Sequence, residues 1–143
     1  MSLNKTSSSK EQGEELVLEI IKLLVERGAN VNVKNSDHTP LRLAVERNNL
    51  EIVKLLVEHG ASVNGESDTG LFAAICNENY EIVKYLVESG VNTNIVNLKG
   101  QTPLTLALEN KNFKIAKCLI EHGANVNARN TDGNTPLTLA LAT

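Results

Sequence analysis

The chain has 143 residues, 41% of them hydrophobic, only 3% aromatic and none of them Trp, with a net charge of −3. That length suits one domain, and its core must come from Leu, Val, Ile and Ala, which favours small, evenly sized modules over one large globule. Mixed charges without a basic stripe argue against nucleic acid or an anionic membrane surface as partner, and there is neither an apolar run long enough to cross a bilayer nor a signal peptide.

Taken in chain order, the first fourteen residues, MSLNKTSSSKEQGE, are polar and rich in Ser, Lys and Glu. They cannot bury enough apolar surface to order themselves, so a flexible segment is expected over 1–14. From Glu15 the chain repeats. EIIKLLVERGANVN (19–32) returns as EIVKLLVEHGASVN (51–64), EIVKYLVESGVNTN (81–94) and KIAKCLIEHGANVN (114–127). A second phrase follows each copy: TPLRLAV (39–45), TGLFAAI (69–75), TPLTLAL (102–108) and TPLTLAL (135–141). Gly28, Gly60, Gly90 and Gly123 mark steps of 32, 30 and 33 residues, a period that belongs to repeat architectures.

Each phrase predicts an element. In TPLxLA, Thr is a good N-cap and Pro suits the first helical position, where its missing N–H is not needed. The Leu and Leu-Ala spacing then gives a short helix with one apolar face. Asn48–Asn49, Glu78–Asn79 and Lys111–Asn112 fall where a tight turn is required, and the second residue of each pair can cap the next helix. In EIVKLLVE the apolar residues Ile52, Val53, Leu55, Leu56 and Val57 are nearly two-sided, as expected of a helix sandwiched between neighbours. Gly60 and its equivalents end that helix in a left-handed conformation. Arg27, His59 and His122 sit in last turns, where the helix dipole favours positive charge. NLKG (97–100) and NTDG (130–133) carry a type I turn signal, at the tips of hairpin-like fingers. Every unit is therefore helix, turn, helix, projecting loop, and only stacking can cover its apolar faces.

The period, the TPL phrase, the closing GAxVN and the polar-x-x-Gly turn together resemble the ankyrin repeat, over roughly residues 15–143. The resemblance implies an all-α solenoid of helix-turn-helix units with β-hairpin-like fingers, and a concave surface of fingers and first helices that binds other proteins. The expected organisation is a half-unit at 15–33, units at 34–65, 66–96 and 97–129, and a half-unit at 130–143. Half-units at both ends suggest an excerpt from a longer array. Arg42, Phe72, Thr105 and Thr138 stand where the family has His, which leaves Thr105 and Thr138 as candidates for a shorter link between repeats. Gly70 replaces Pro, so the third unit is expected to be the weak link. Four residues separate Asn64 from Thr69 where a sister loop has seven, which predicts a lost finger at 65–68 and a notch in the rim.

Catalytic chemistry is not indicated. His38, His59 and His122 show no metal-ligand spacing, no Ser/His/Asp signature or phosphate loop occurs, and no cofactor or metal is implied. Cys76 is expected to face the groove and Cys118, which replaces Leu in sister units, to fill core. The two are distant and form no CxxC pair, which fits a reduced, intracellular setting, cytoplasmic or inside a host cell. Asn127 best matches the Asn that an asparaginyl hydroxylase modifies in animal relatives, though the same residue can serve to hold a finger root.

The expected function is a scaffold or adaptor that binds another protein, itself a monomer. The alternative is a rigid spacer within a longer repeat protein. Repeat geometry places the binding residues at the fingers, Asn35, Ser36, His38, Asp68, Leu98, Lys99, Gln101, Thr131, Asp132 and Asn134. The groove side of the first helices adds Glu46, Arg47, Cys76, Asn77, Glu109 and Asn110. Leu98 is the sharpest of these, as an apolar residue at a projecting turn, and Arg47 is the natural polar anchor.

Overall fold

The computed structural model describes residues 2–35, 38–64 and 70–143, with side chains from Lys10 onward. Eight helices follow one another: α1 (Ser2–Glu26), α2 (Pro40–Glu46), α3 (Leu50–Glu58), α4 (Leu71–Cys76), α5 (Tyr80–Glu88), α6 (Pro103–Glu109), α7 (Phe113–Glu121) and α8 (Pro136–Leu141). The even-numbered helices pack in one row, α2 on α4, α4 on α6 and α6 on α8. The odd-numbered helices form a second row against it, and each short helix also packs on the longer one that follows, as α2 does on α3. Among the described residues there is no strand; one antiparallel bridge joins Asn35 to His38, with both N–H···O distances at 2.9 Å. This is the all-α repeat solenoid expected from the sequence.

The local signals act as the residue types require. Thr39, Thr102 and Thr135 are N-caps whose hydroxyls accept from the backbone N–H three residues on. Asn49, Asn79 and Asn112 cap the second helices in the same way, accepting from Ile52, Ile82 and Ile115. The residue just before each of these Asn has positive φ, at Asn48, Glu78 and Lys111. A left-handed non-glycine residue costs roughly 1–2 kcal/mol, a cost the tight helix-to-helix turn imposes in every unit. Leu41, Leu71 and Leu104 of the first helices, and Ile82, Leu86, Ile115 and Leu119 of the second, are wholly or almost wholly buried.

Two features differ from the sequence expectation, and a third cannot be placed. Residues 2–14, expected as a flexible segment, are helical and continuous with α1. Extending an existing helix needs no new nucleus, and Lys, Glu and Gln are good helix formers, so helicity does not require burial there. Thr105 and Thr138 do not link repeats. Thr105 closes a capping box on its own helix start, with the Thr102 N–H donating to its Oγ1 at 2.8 Å, and the Thr138 hydroxyl donates to the Thr135 carbonyl. The expected notch and lost finger at 65–68 lie outside the described residues.

The link between repeats is made instead by the Asn of the VN phrase. Asn32 Nδ2 donates to the Gly60 carbonyl (3.0 Å) and its Oδ1 accepts from the Ser62 N–H (2.7 Å). Asn64 repeats both bonds one unit on, to Gly90 (2.8 Å) and Asn92 (2.6 Å). Asn94 accepts from Asn125 at 2.7 Å. Each amide side chain thereby grips the backbone just past the next unit's helix-ending glycine, and fixes the step from one repeat to the next.

Gly70 has a second reason to be glycine. Its φ is +92°, and a Cβ there would stand 3.0 Å from Val45 Cβ of the preceding unit. With Gly in place of Pro, α4 begins one residue later than its sisters and has no capping side chain.

Two outcomes follow. Asn64→Ala should lower unfolding free energy by about 1 kcal/mol, whereas Asn127→Ala, which removes no such bond, should leave it unchanged in urea titrations. Backbone amides of residues 71–76 should exchange with deuterium faster than those of 103–109; equal protection would show that the capping difference has no local effect.

Candidate functional site

Short loops bring the C-terminal ends of the first helices to the same side as the fingers. The finger at 97–101 is built by Asn97, whose Oδ1 accepts from the N–H groups of Lys99 (3.0 Å) and Gln101 (2.9 Å). Its carbonyl accepts from the Gly100 N–H at 3.0 Å, the expected turn. Asn130 does the same for the next finger, accepting from Asp132 and Asn134, both at 3.0 Å. Each Asn replaces a strand's worth of hydrogen bonds with one side chain, so the fingers hold shape without a sheet. The two fingers also lie against each other: a Cβ on Gly100 would collide with Thr131 Cγ2.

Glu109, at the end of α6, ties these parts together. Gln101 Nε2 donates to its Oε2 at 2.5 Å and Asn130 Nδ2 donates to its Oε1 at 2.6 Å. One carboxylate is thus fixed by two neutral amides from successive fingers, with no cation within ion-pair distance among the described residues. A carboxylate oxygen accepts more than one bond, so Glu109 keeps acceptor capacity for a further donor. Its sister Glu46 is already occupied, by Arg42 Nε at 3.0 Å and His38 Nδ1 at 3.8 Å.

The other expected site residues fall into place around these. Leu98 is fully exposed and Val96 largely so, and none of the described residues covers the finger tip. Arg47 is the C-cap of α2; it is exposed and makes no ion pair among the described residues, with Glu46 engaged elsewhere. Asn77 and Asn110 are C-caps of α4 and α6, and Asn77 Nδ2 lies 3.3 Å from Asn48 Oδ1. Cys76, Lys99, Thr131, Asp132 and Asn134 are exposed. Asn35 is exposed and sits in the bridge with His38. Ser36 and Asp68 lie outside the described residues. The Asn127 side chain, the hydroxylation candidate, is exposed and has no partner among the described residues. Asn97 and Asn130 were not assigned this organising role from sequence, although a polar residue three before Gly is the signal that marks them.

The opposite side carries a cleft between α5 and α7, lined in part by Tyr80, Lys84, Lys114, Cys118 and His122. Lys114 Nζ stands 4.1 Å over the Tyr80 ring. Cys118 and His122 are neighbours there, with Sγ 3.9 Å from Nδ1. That nitrogen lies 2.8 Å from the Cys118 carbonyl, an acceptor only, so it carries the proton and cannot take one from the thiol. Burial, and then the nearby Glu121 and Glu88 carboxylates, push the Cys118 thiol above its ordinary range. The pair is a packed thiol beside a helix-end histidine. No cluster of three or more metal-ligating side chains occurs among the described residues, and no helix there is long and apolar enough to cross a membrane.

Comparison with protein families matches a model of ankyrin repeats in three copies over residues 14–97 and 71–143. No curated protein matches the chain.

The two thiols should behave differently. At neutral pH a disulfide reagent should titrate one cysteine of the folded protein rapidly, Cys76, and reach Cys118 only on unfolding. A Cys76→Ser variant that still reacts at once would contradict the buried, protonated state assigned to Cys118.

Proposed function

The chain belongs to the ankyrin-repeat family, a fold that generally serves protein–protein interaction, and from that premise we propose that it is a scaffold or adaptor module. Its partner protein docks on the edge formed by the fingers and the ends of the first helices. The observation that supports this most is the Glu109 bridge, where two fingers and a helix end hold one carboxylate in a fixed position. A polar group immobilised before binding loses little freedom on binding, and this lowers the entropic cost of association. Leu98 supplies an exposed apolar contact and Arg47, in an earlier unit, a guanidinium with no ion pair among the described residues. Arg is among the side chains that most often dominate protein interfaces, with surrounding contacts that exclude water. The opposite cleft, by contrast, mixes Lys and Glu side chains, and its Lys114 already stands over the Tyr80 ring.

Affinity capture with three baits tests the reading. Wild type and a Lys84→Glu/Lys117→Glu variant, altered on the opposite side, should retain the same partner. An Arg47→Glu/Leu98→Ser/Glu109→Lys variant should lose it by about tenfold or more while keeping its helical circular dichroism. A partner held equally by all three would place binding elsewhere on the stack.

A further inference from the structure

Two units of the chain carry a carboxylate at the same place and satisfy it differently. Glu46 is the last residue of α2 and Glu109 the last residue of α6. In the earlier unit the chain supplies its own cations. Arg42 Nε donates to Glu46 Oε1 at 3.0 Å, and His38 Nδ1 lies 3.8 Å from the same oxygen. In the later unit the sister of Arg42 is Thr105 and the sister of His38 is Gln101. Thr105 is fully buried and its hydroxyl is engaged with Thr102 at the start of α6. Gln101 and Asn130 reach Glu109 as neutral amides, one on each carboxylate oxygen. Lys99 and Arg129, the cations carried by the same two fingers, make no ion pair with it among the described residues.

The two amides fix the carboxylate and bring no positive charge to it. An ionised carboxylate has about four lone-pair positions over its two oxygens. One position on each oxygen is taken, which leaves acceptor capacity on both oxygens of an exposed residue. A donor with two parallel N–H groups fills such a pair. The guanidinium of arginine is planar and presents its N–H groups in a fork that matches a carboxylate, whereas the ammonium of lysine is a compact point charge.

We propose, on the reading that partners dock at the finger edge, that Glu109 receives an arginine side chain of the partner, in the place that Arg42 takes at Glu46. The chain itself identifies the occupant, because the sister carboxylate is met by a guanidinium at hydrogen-bond distance. Charge complementarity points the same way, since both groups bonded to Glu109 are neutral. Leu98 is exposed on the finger that supplies Gln101, so the aliphatic stem of an arginine, or an apolar residue next to it, has an apolar surface on that finger. The partner segment is therefore one that carries an arginine among apolar neighbours.

Solution NMR on isotope-labelled protein tests this with three blocked tripeptides, acetyl-Leu-Arg-Leu amide and its lysine and citrulline counterparts. Citrulline has nearly the shape of arginine and no charge. At low ionic strength and equal, subsaturating concentration, the arginine peptide should shift the side-chain amide signals of Gln101 and Asn130 about threefold further than the citrulline peptide, as an exposed ion pair allows, with lysine between them. Glu109→Gln should erase the difference. Salt at about 0.5 M should shrink it in wild type, a readout independent of any change that the substitution makes in the fingers. Signals of His38 and Arg42, around the carboxylate that already has its cations, should not distinguish the peptides. Equal shifts from the arginine and citrulline peptides would overturn the proposal, as would a difference that survives Glu109→Gln or high salt. A lysine peptide equal to the arginine peptide would overturn the choice of a guanidinium. In each of these cases a captured partner that is lost by an Arg47→Glu/Leu98→Ser variant leaves the docking edge standing. A partner that this variant retains overturns the edge, and the proposal with it.

Discussion

A second helix that is apolar on both sides governs this molecule. α5 packs on both α4 and α7, Ile82 and Val87 are both buried, and neither side can be left in water without loss. Burying one Leu or Ile is worth about 1.5–3 kcal/mol, whereas one Asn clamp near the surface contributes about 1 kcal/mol. Burial therefore drives the stacking, and the clamps decide its register. That division explains why helix sequences tolerate Cys118 or Ala116 in place of larger residues, whereas the Asn at the end of each VN phrase recurs in every copy. A methyl group more or less changes the fit, but a lost amide would free the step between units.

The fingers stand outside this arrangement. Asn97 and Asn130 hold their turns from within, each accepting two backbone N–H bonds inside its own finger. A loop built in that way can lengthen, shorten or change its tip without disturbing Leu86 or Leu104. The same independence makes it suited to recognition: Leu98 can be apolar and uncovered because the stability of the helix rows does not depend on it. Glu109 is the point where the two systems meet, since a side chain on a core helix determines how two loops are spaced. Its position is set by burial of α6 and passed to the fingers by two amide hydrogen bonds.

Much of the fold was legible because each boundary has a local chemical signature. Thr-Pro starts a helix, Asn after a left-handed residue starts the next, and Gly ends it, each signal acting on backbone groups a few residues away. What escaped depends on residues far apart in sequence or on continuity. Residues 2–14 look unable to order themselves when weighed by burial, but they prolong a helix nucleated by the apolar residues after them. Thr105 occupies the position that family resemblance assigns to a link between repeats. Its hydroxyl is too short for that, and it bonds at its own N-cap instead. The Asn clamp spans nearly a full repeat, so its partners cannot be read from any one unit, although the recurrence of Asn at that position was visible. The site was legible as a surface rather than as an assembly. Leu98 and Arg47 were identifiable from position, whereas the convergence of Gln101 and Asn130 on Glu109 required coordinates.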